Sequence, residues 1–204
     1  MPGSASATIL DGRRMNKQEI KLQGKRITLT PLNFENIYRH FEWNNDPELN
    51  RLDSEFPFER ESFADFKARF EQMVDHPSPH NIDLEIHAED GVLIGLAYVT
   101  DISHHNKHCM IGITIGDRNY WGKGYGRESI ELLLAYCFDQ LGMHRVHTET
   151  FEYNEAWRSL VRDAGFTQEG VERDYLYRDG EFWDKEIYSL LEDEYRRPKR
   201  GKAA

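Results

Sequence analysis

Tyr120-Trp121-Gly122-Lys123-Gly124-Tyr125-Gly126-Arg127 carries glycine at three alternate positions. With no side chains there, the backbone amides lie uncovered where a helix is expected to begin. Upstream, Met110-Ile111-Gly112-Ile113-Thr114-Ile115 reads as a buried strand. Downstream, Ile130, Leu133, Leu134, Cys137, Phe138 and Leu141 recur at helical spacing. The first N–H groups of a helix have no intrahelical partner, and the helix dipole is positive at that end. A phosphate bound there gains hydrogen bonds and charge stabilisation together. Strand, glycine loop and helix therefore read as an anion cradle.

What the loop lacks narrows the ligand. A nucleotide P-loop needs Lys and then Ser or Thr after its last glycine, and Gly126 is followed by Arg127 and Glu128. A dinucleotide fingerprint starting at Gly122 and Gly124 needs glycine at 127, which is Arg. A second segment, Asn154-Glu155-Ala156-Trp157-Arg158-Ser159-Leu160-Val161-Arg162-Asp163-Ala164-Gly165-Phe166, predicts a short helix with Asn154 as N-cap and Gly165 as its left-handed stop.

Together the two segments resemble the signatures of the GNAT N-acetyltransferases. Gly124 and Gly126 fall on the glycines of that family's acetyl-CoA loop, and Asn154 through Gly165-Phe166 on its second signature. Trp121 stands where the family usually has Gln or Arg. The wording Tyr-Trp-Gly-Lys-Gly-Tyr-Gly looks like the branch of ribosomal-protein N-terminal and spermidine acetyltransferases. The resemblance covers roughly residues 25–195. It implies an α/β single-domain fold, with a mixed sheet of about seven strands flanked by about four helices and splayed at the acetyl-CoA site. It also implies acetyl-CoA as co-substrate, no metal, and a primary amine as acceptor, either a polyamine-like small molecule or a protein N-terminus. An aminoglycoside or amino-acid amine is the alternative acceptor. From another class, a non-catalytic acyl-CoA sensor is the rival reading.

Site residues follow from the same resemblance. The amides of Trp121, Gly122, Lys123, Gly124, Tyr125, Gly126 and Arg127 are expected to meet the pyrophosphate, with Lys123 and Arg127 as screening charges. The strand Ile111 to Ile115, and within it Ile113, Thr114 and Ile115, is expected to pair with the pantetheine arm and supply an amide to the carbonyl. Asn154 is expected to touch that arm. Proton handling departs from the family: Val161 holds the place of the usual acidic Tyr, and Met110 that of a frequent Glu. Ser159 is left as the candidate acid and Glu149 as the first candidate base, with Glu85, and then His144 and His147, behind it. The cluster His104, His105, His108 lacks the carboxylate or Cys spacing of a metal site.

Length, charge and cysteines bound the rest. A chain of 204 residues suits one domain that buries about 70% of its unfolded surface. Its two cysteines, Cys109 and Cys137, form no disulfide or CxxC pattern and point to a cytoplasmic protein. Net charge of −10 opposes nucleic-acid binding and suits a cationic acceptor. No apolar run approaches the roughly 18 residues of a membrane span, and Met1 to Ala7 lacks the features of a signal peptide. Residues 1–20 are expected to be a disordered extension, 21–195 the catalytic domain and 196–204 a basic flexible tail. Along the domain the sequence predicts helices over about 34–44 and 60–74, a loop over 50–57, and Asp-Gly hairpins at Asp90-Gly91 and Asp179-Gly180. A homodimer is expected, because symmetric pairs are the commonest oligomers.

Overall fold

The computed structural model describes residues 8–10, 13–15 and 20–197. Thr8–Leu10 (β1) and Arg13–Met15 (β2) pair as an antiparallel hairpin apart from the main sheet. The rest of the extension expected over 1–20, up to residue 19, lies outside the described residues, as does the expected tail from 198 onward.

The main sheet has eight strands: Leu22–Gln23 (β3), Ile27–Pro31 (β4), Ile82–Ala88 (β5), Leu93–Ser103 (β6), His108–Ile115 (β7), Arg145–Phe151 (β8), Thr167–Arg178 (β9) and Glu181–Leu191 (β10). Their spatial order is β3-β4-β5-β6-β7-β8-β10-β9. Every neighbouring pair is antiparallel except β7 and β8, which run parallel. A parallel pair needs a crossover, and the helix Tyr125–Ala135 (α4) supplies it. Ile37–Asn44 (α1), Pro47–Asp53 (α2) and Phe63–Asp75 (α3) join β4 to β5, Glu155–Ala164 (α5) joins β8 to β9, and the single turn Glu192–Tyr195 (α6) follows β10. The sheet has one strand more than expected, the short β3, and two further helices, α2 and α6.

Helix α2 corrects the loop predicted over 50–57. Asp46 caps it by accepting from the amides of Glu48 (2.9 Å) and Leu49 (3.2 Å), and Pro47 occupies the first turn, where a missing N–H costs nothing. Both Asp-Gly hairpins form as expected; Asp179 and Gly180 adopt φ of 56° and 86°, the paired left-handed geometry of a two-residue turn.

Alternation along the strands decides what each face of the sheet carries. On β5, Leu84 and Ile86 point into the main core with Ile130, Leu133 and Leu134 of α4. Glu85, between them, points to the other face and meets α1. There it is 1% exposed and accepts from the Asn33 amide (3.0 Å), Asn36 Nδ2 (2.7 Å) and the rings of His40 (2.8 Å) and His87 (2.9 Å). Burial alone would raise its pKa; those hydrogen bonds overcome burial and bring it to about 2. Glu85 therefore fastens the α1 segment to the sheet and is not a base facing the site. After α4 the helix widens to a π-turn over Tyr136–Gln140, and the three consecutive residues Tyr136, Cys137 and Phe138 are all buried.

Candidate active site

The glycine loop closes between the end of β7 and the start of α4. Gly122 and Gly124 adopt φ of 69° and 85°, and Gly124, left-handed, is the residue at which α4 begins. A side chain is disfavoured at both on backbone grounds alone. Gly126 differs: its backbone is helical, and an added Cβ would point at Leu160 Cδ2 (3.5 Å) and Ile115 Cγ1 (4.0 Å), into open cleft. Trp121, in the place of the usual Gln or Arg, ties the loop down by donating its indole N–H to the Ile115 carbonyl at 2.6 Å.

A clamp that the sequence does not reveal holds the far side of the loop. Glu128, in the first turn of α4, accepts from the amides of Lys25 (2.5 Å) and Arg26 (2.8 Å) and from Arg26 Nε (3.2 Å). Burial opposes ionisation of Glu128, but these bonds outweigh it and lower its pKa. Arg26 also donates to the Lys123 carbonyl (3.0 Å) and lies 4.6 Å over the Tyr125 ring. Of the two expected screening charges, Lys123 is exposed and outside the cleft wall, and Arg127 on the wall is ion-paired to Asp163 of α5.

Beside the loop the sheet opens. Strands β7 and β8 pair only from His108↔Arg145 to Met110↔His147. Past that point, among the described residues, Ile111–Ile115 has no strand on one edge, so backbone groups of β7 face a cavity of about 910 Å³. Ile113, Thr114 and Ile115 line it, as do Gly122, Gly124, Tyr125, Gly126, Asn154, Trp157 and Leu160. Asn154 accepts from the Trp157 amide (3.2 Å) as the cap of α5 and donates to the Leu52 carbonyl (3.2 Å), joining α5 to α2 across the cleft. Val161 points away, fully buried in the main core.

Ser159 is exposed on the cleft wall of α5, and Glu149 is exposed on the β8 side. Lys185 Nζ lies 3.3 Å from Glu149 and 3.4 Å from Glu172, so the carboxylate of Glu149 already has a counter-ion. Burial pulls the Lys185 pKa down, yet Tyr175 and Glu149 together hold it above the usual lysine value. His144 sits at the surface 3.9 Å from Glu192, and His147 has its pKa lowered chiefly by burial; neither lines the cleft. Among the described residues no group of three or more His, Cys, Asp or Glu is placed to hold a metal ion, the His104, His105, His108 cluster included.

The sequence does not single out two cleft residues, Asp53 and Tyr98. Tyr98 on β6 donates to Asp53 Oδ1 (3.1 Å), and Thr114 on β7 donates to Asp53 Oδ2 (3.3 Å). Tyr98 fills the space over Gly112, where a Cβ would fall 2.0 Å from its ring. Asp53 is reached by solvent through the cleft yet is walled in by protein on its other sides. That burial raises its pKa, against the opposing pull of the two hydroxyls. Burial, and then the Asp53 charge, push the Tyr98 phenol well above its ordinary value, so it remains a neutral donor. The Asp46-Pro47 helix start was the available signal, since it puts Asp53 at the end of a helix.

A sheet parted between parallel strands, with a helix N-terminus and glycine loop at the opening, defines a class that the comparisons identify. Residues 26–167 match the Acetyltransferase (GNAT) domain family, and the chain belongs to it. The uncharacterized N-acetyltransferase p20 of Bacillus licheniformis is 28% identical over 174 residues, 85% of this chain and 97% of that protein. The ribosomal protein uS5-alanine N-acetyltransferase of Escherichia coli (strain K12) is 28% identical over 99 residues, 48% of this chain and 50% of that relative. Spermidine N-acetyltransferase from Vibrio cholerae, solved in complex with CoA and spermine, shares the fold with a TM-score of 0.76 at 22% identity, over 84% of this chain and 99% of that one. This chain is an N-acetyltransferase that uses acetyl-CoA and acetylates an amine.

Proposed function

We propose that the cleft between β7 and β8 holds acetyl-CoA with its pyrophosphate on the amides of Gly122 to Arg127. The unpaired edge Ile111–Ile115 would receive the pantetheine arm, and Asn154 and Leu160 on α5 would form the opposite wall. The observation that carries this reading is the parting of β7 from β8 directly beside the glycine loop. Open space in front of Gly126 fits it, since a Cβ there would enter the cleft. When bound, acetyl-CoA supplies an acetyl group activated as a thioester. The chain's own part is to orient that group with strand amides and to manage the amine's protons. The acceptor is a primary amine, either a polyamine-like small molecule or a protein N-terminus, approaching over α2 and the β9–β10 hairpin.

Ser159 is the hydroxyl this reading offers to the departing sulfur, because Val161 is buried elsewhere. A thiol of pKa about 8.5 leaves tolerably without a dedicated acid. Ser159→Ala is therefore expected to lower turnover by less than about tenfold, the low side of general-acid effects. Glu149, already paired with Lys185, shapes the charge at the mouth, and Glu149→Gln is likewise expected to cost less than about tenfold. Thiol release from acetyl-CoA, followed with a competent amine, reads both; a hundredfold loss in either variant would make that residue an essential acid or base.

The same reading extends to a cytoplasmic homodimer. Supporting it are two free buried cysteines, no described helix long and apolar enough to cross a membrane, and Val171, Tyr177 and Phe182 exposed on the edge hairpin β9–β10. Light scattering at working concentration should give twice the chain mass; a monomer mass would contradict the dimer.

A further inference from the structure

We infer that Asp53 receives the acceptor's ammonium group and takes its proton, and that an adjoining chamber holds the apolar stem carrying that amine. The inference rests on the acetyl-CoA reading above and assigns its acceptor side. Four carboxylates line the main cleft. Glu149 is paired with Lys185, Asp163 with Arg127, and Glu55 accepts from the Tyr175 hydroxyl (2.6 Å). Asp53 accepts from two neutral hydroxyls, Tyr98 and Thr114; among the described residues it and Glu55 are the cleft carboxylates with no ion pair, and of these two it is Asp53 that is hydrogen-bonded to β7. Thr114 belongs to the unpaired edge of β7, which puts this carboxylate next to the strand proposed to orient the acetyl group.

A second cavity of about 340 Å³ meets the cleft at this point. Asp53, Tyr98 and Thr114 line both spaces. Beyond them the second cavity carries Trp43, Phe66, Phe70, Met73 and Leu96 on its walls, together with the polar His40, Asn44, Asn50 and Asp83. Arg69, its cation, is committed to Glu61 at 2.8 Å. A chamber with this aromatic and aliphatic wall and a carboxylate at its mouth fits a primary amine on an apolar stem: an arylalkylamine, or an N-terminal residue with a large apolar side chain. Of the polyamine-like and N-terminal acceptors proposed above, this wall favours one with a single ammonium: a longer polyamine meets one further carboxylate there, Asp83, and its other charges would lose their hydration.

The chemistry balances with this placement. Asp53 accepts one ammonium proton and passes it to solvent. The freed nitrogen lone pair forms the C–N bond, the C–S bond breaks, and a second nitrogen proton ends on the sulfur. One thioester and one ammonium thus become one amide, one thiol and one released proton. The high pKa of the waiting amine makes this first proton the demanding one.

Calorimetry with 2-phenylethylamine, methylamine and spermidine, on the free enzyme and in the presence of CoA, tests the placement without requiring turnover. Asp53→Asn, isosteric, with one oxygen still able to accept from Tyr98 and an amide NH2 able to donate to the Thr114 hydroxyl, should lower 2-phenylethylamine affinity at least tenfold and turnover at least a hundredfold, with CoA affinity within twofold. Met73→Trp, filling the chamber from α3, should weaken 2-phenylethylamine but leave methylamine unchanged. Amine affinity and turnover within threefold of the parent in Asp53→Asn would overturn the inference while leaving the acetyl-CoA reading standing. So would equal weakening of both amines by Met73→Trp, or preferred binding of spermidine. Failure of the parent enzyme to bind CoA would instead overturn the acetyl-CoA reading, and amine titration of the free enzyme would still decide the role of Asp53.

Discussion

Gly126→Leu should abolish detectable CoA binding while leaving the protein folded and slightly more stable. The backbone at Gly126 is ordinary helix, and a Cβ there makes only normal van der Waals contact with Leu160 and Ile115. Replacing glycine by leucine in a helix stabilises by up to about 1 kcal/mol. The longer side chain projects into the cleft, where the proposed ligand lies beside the loop amides. A loss of at least about a hundredfold in affinity, about 2.8 kcal/mol, is expected. Gly124 makes a poorer test, because at φ of 85° any side chain strains the start of α4 and a binding defect could not be separated from it. A folded Gly126→Leu protein with parental CoA affinity would remove the glycine loop from the site.

Glu85→Ala should have the largest effect on stability of any single change considered. It leaves the Asn33 amide, the Asn36 side chain, His40 and His87 without their buried acceptor, a loss of about 3 kcal/mol. The penalty should depend on pH in a stated direction. A carboxyl lowered from 4.5 to about 2 contributes stability that is fully present above pH 4.5 and lost as pH falls toward 2. His87 is raised above 6.5, chiefly by its bond to Glu85, so its contribution is full below pH 6.5 and is lost as pH rises through the folded value. Between 4.5 and 6.5 both contributions are complete. Urea unfolding of the parent and Glu85→Ala should therefore differ most in that window and converge in acid; a difference below about 1 kcal/mol at pH 5.5 would contradict the role given to this residue.

Local chemistry made much of this fold legible. Alternate glycines, the Asn154 cap with its Gly165 stop, and the Asp179-Gly180 turn each state their geometry within a few residues, and all three occur as read. The splay also follows from local signals once the family resemblance is drawn from them. What stayed hidden is carried by pairs distant in sequence. Arg26 reaches Lys123 and Glu128 across about a hundred residues, and Asp53 meets Tyr98 and Thr114 from a segment that looked like loop. Glu85 looked available for proton transfer because alternation alone does not say which partners wait on the opposite face. Glu149 lies on the cleft wall, and Lys185, distant in sequence but on the neighbouring strand β10, is a counter-ion that the sequence did not indicate.

Release of free thiol from acetyl-CoA, measured over a panel of primary amines and N-terminal peptides, tests the central claim most directly. The account predicts thiol release coupled one-to-one to acetylated amine for at least one acceptor, abolished in Gly126→Leu. A folded parent protein that binds CoA yet acetylates none of the panel, or a Gly126→Leu variant that turns over at the parental rate, would contradict it.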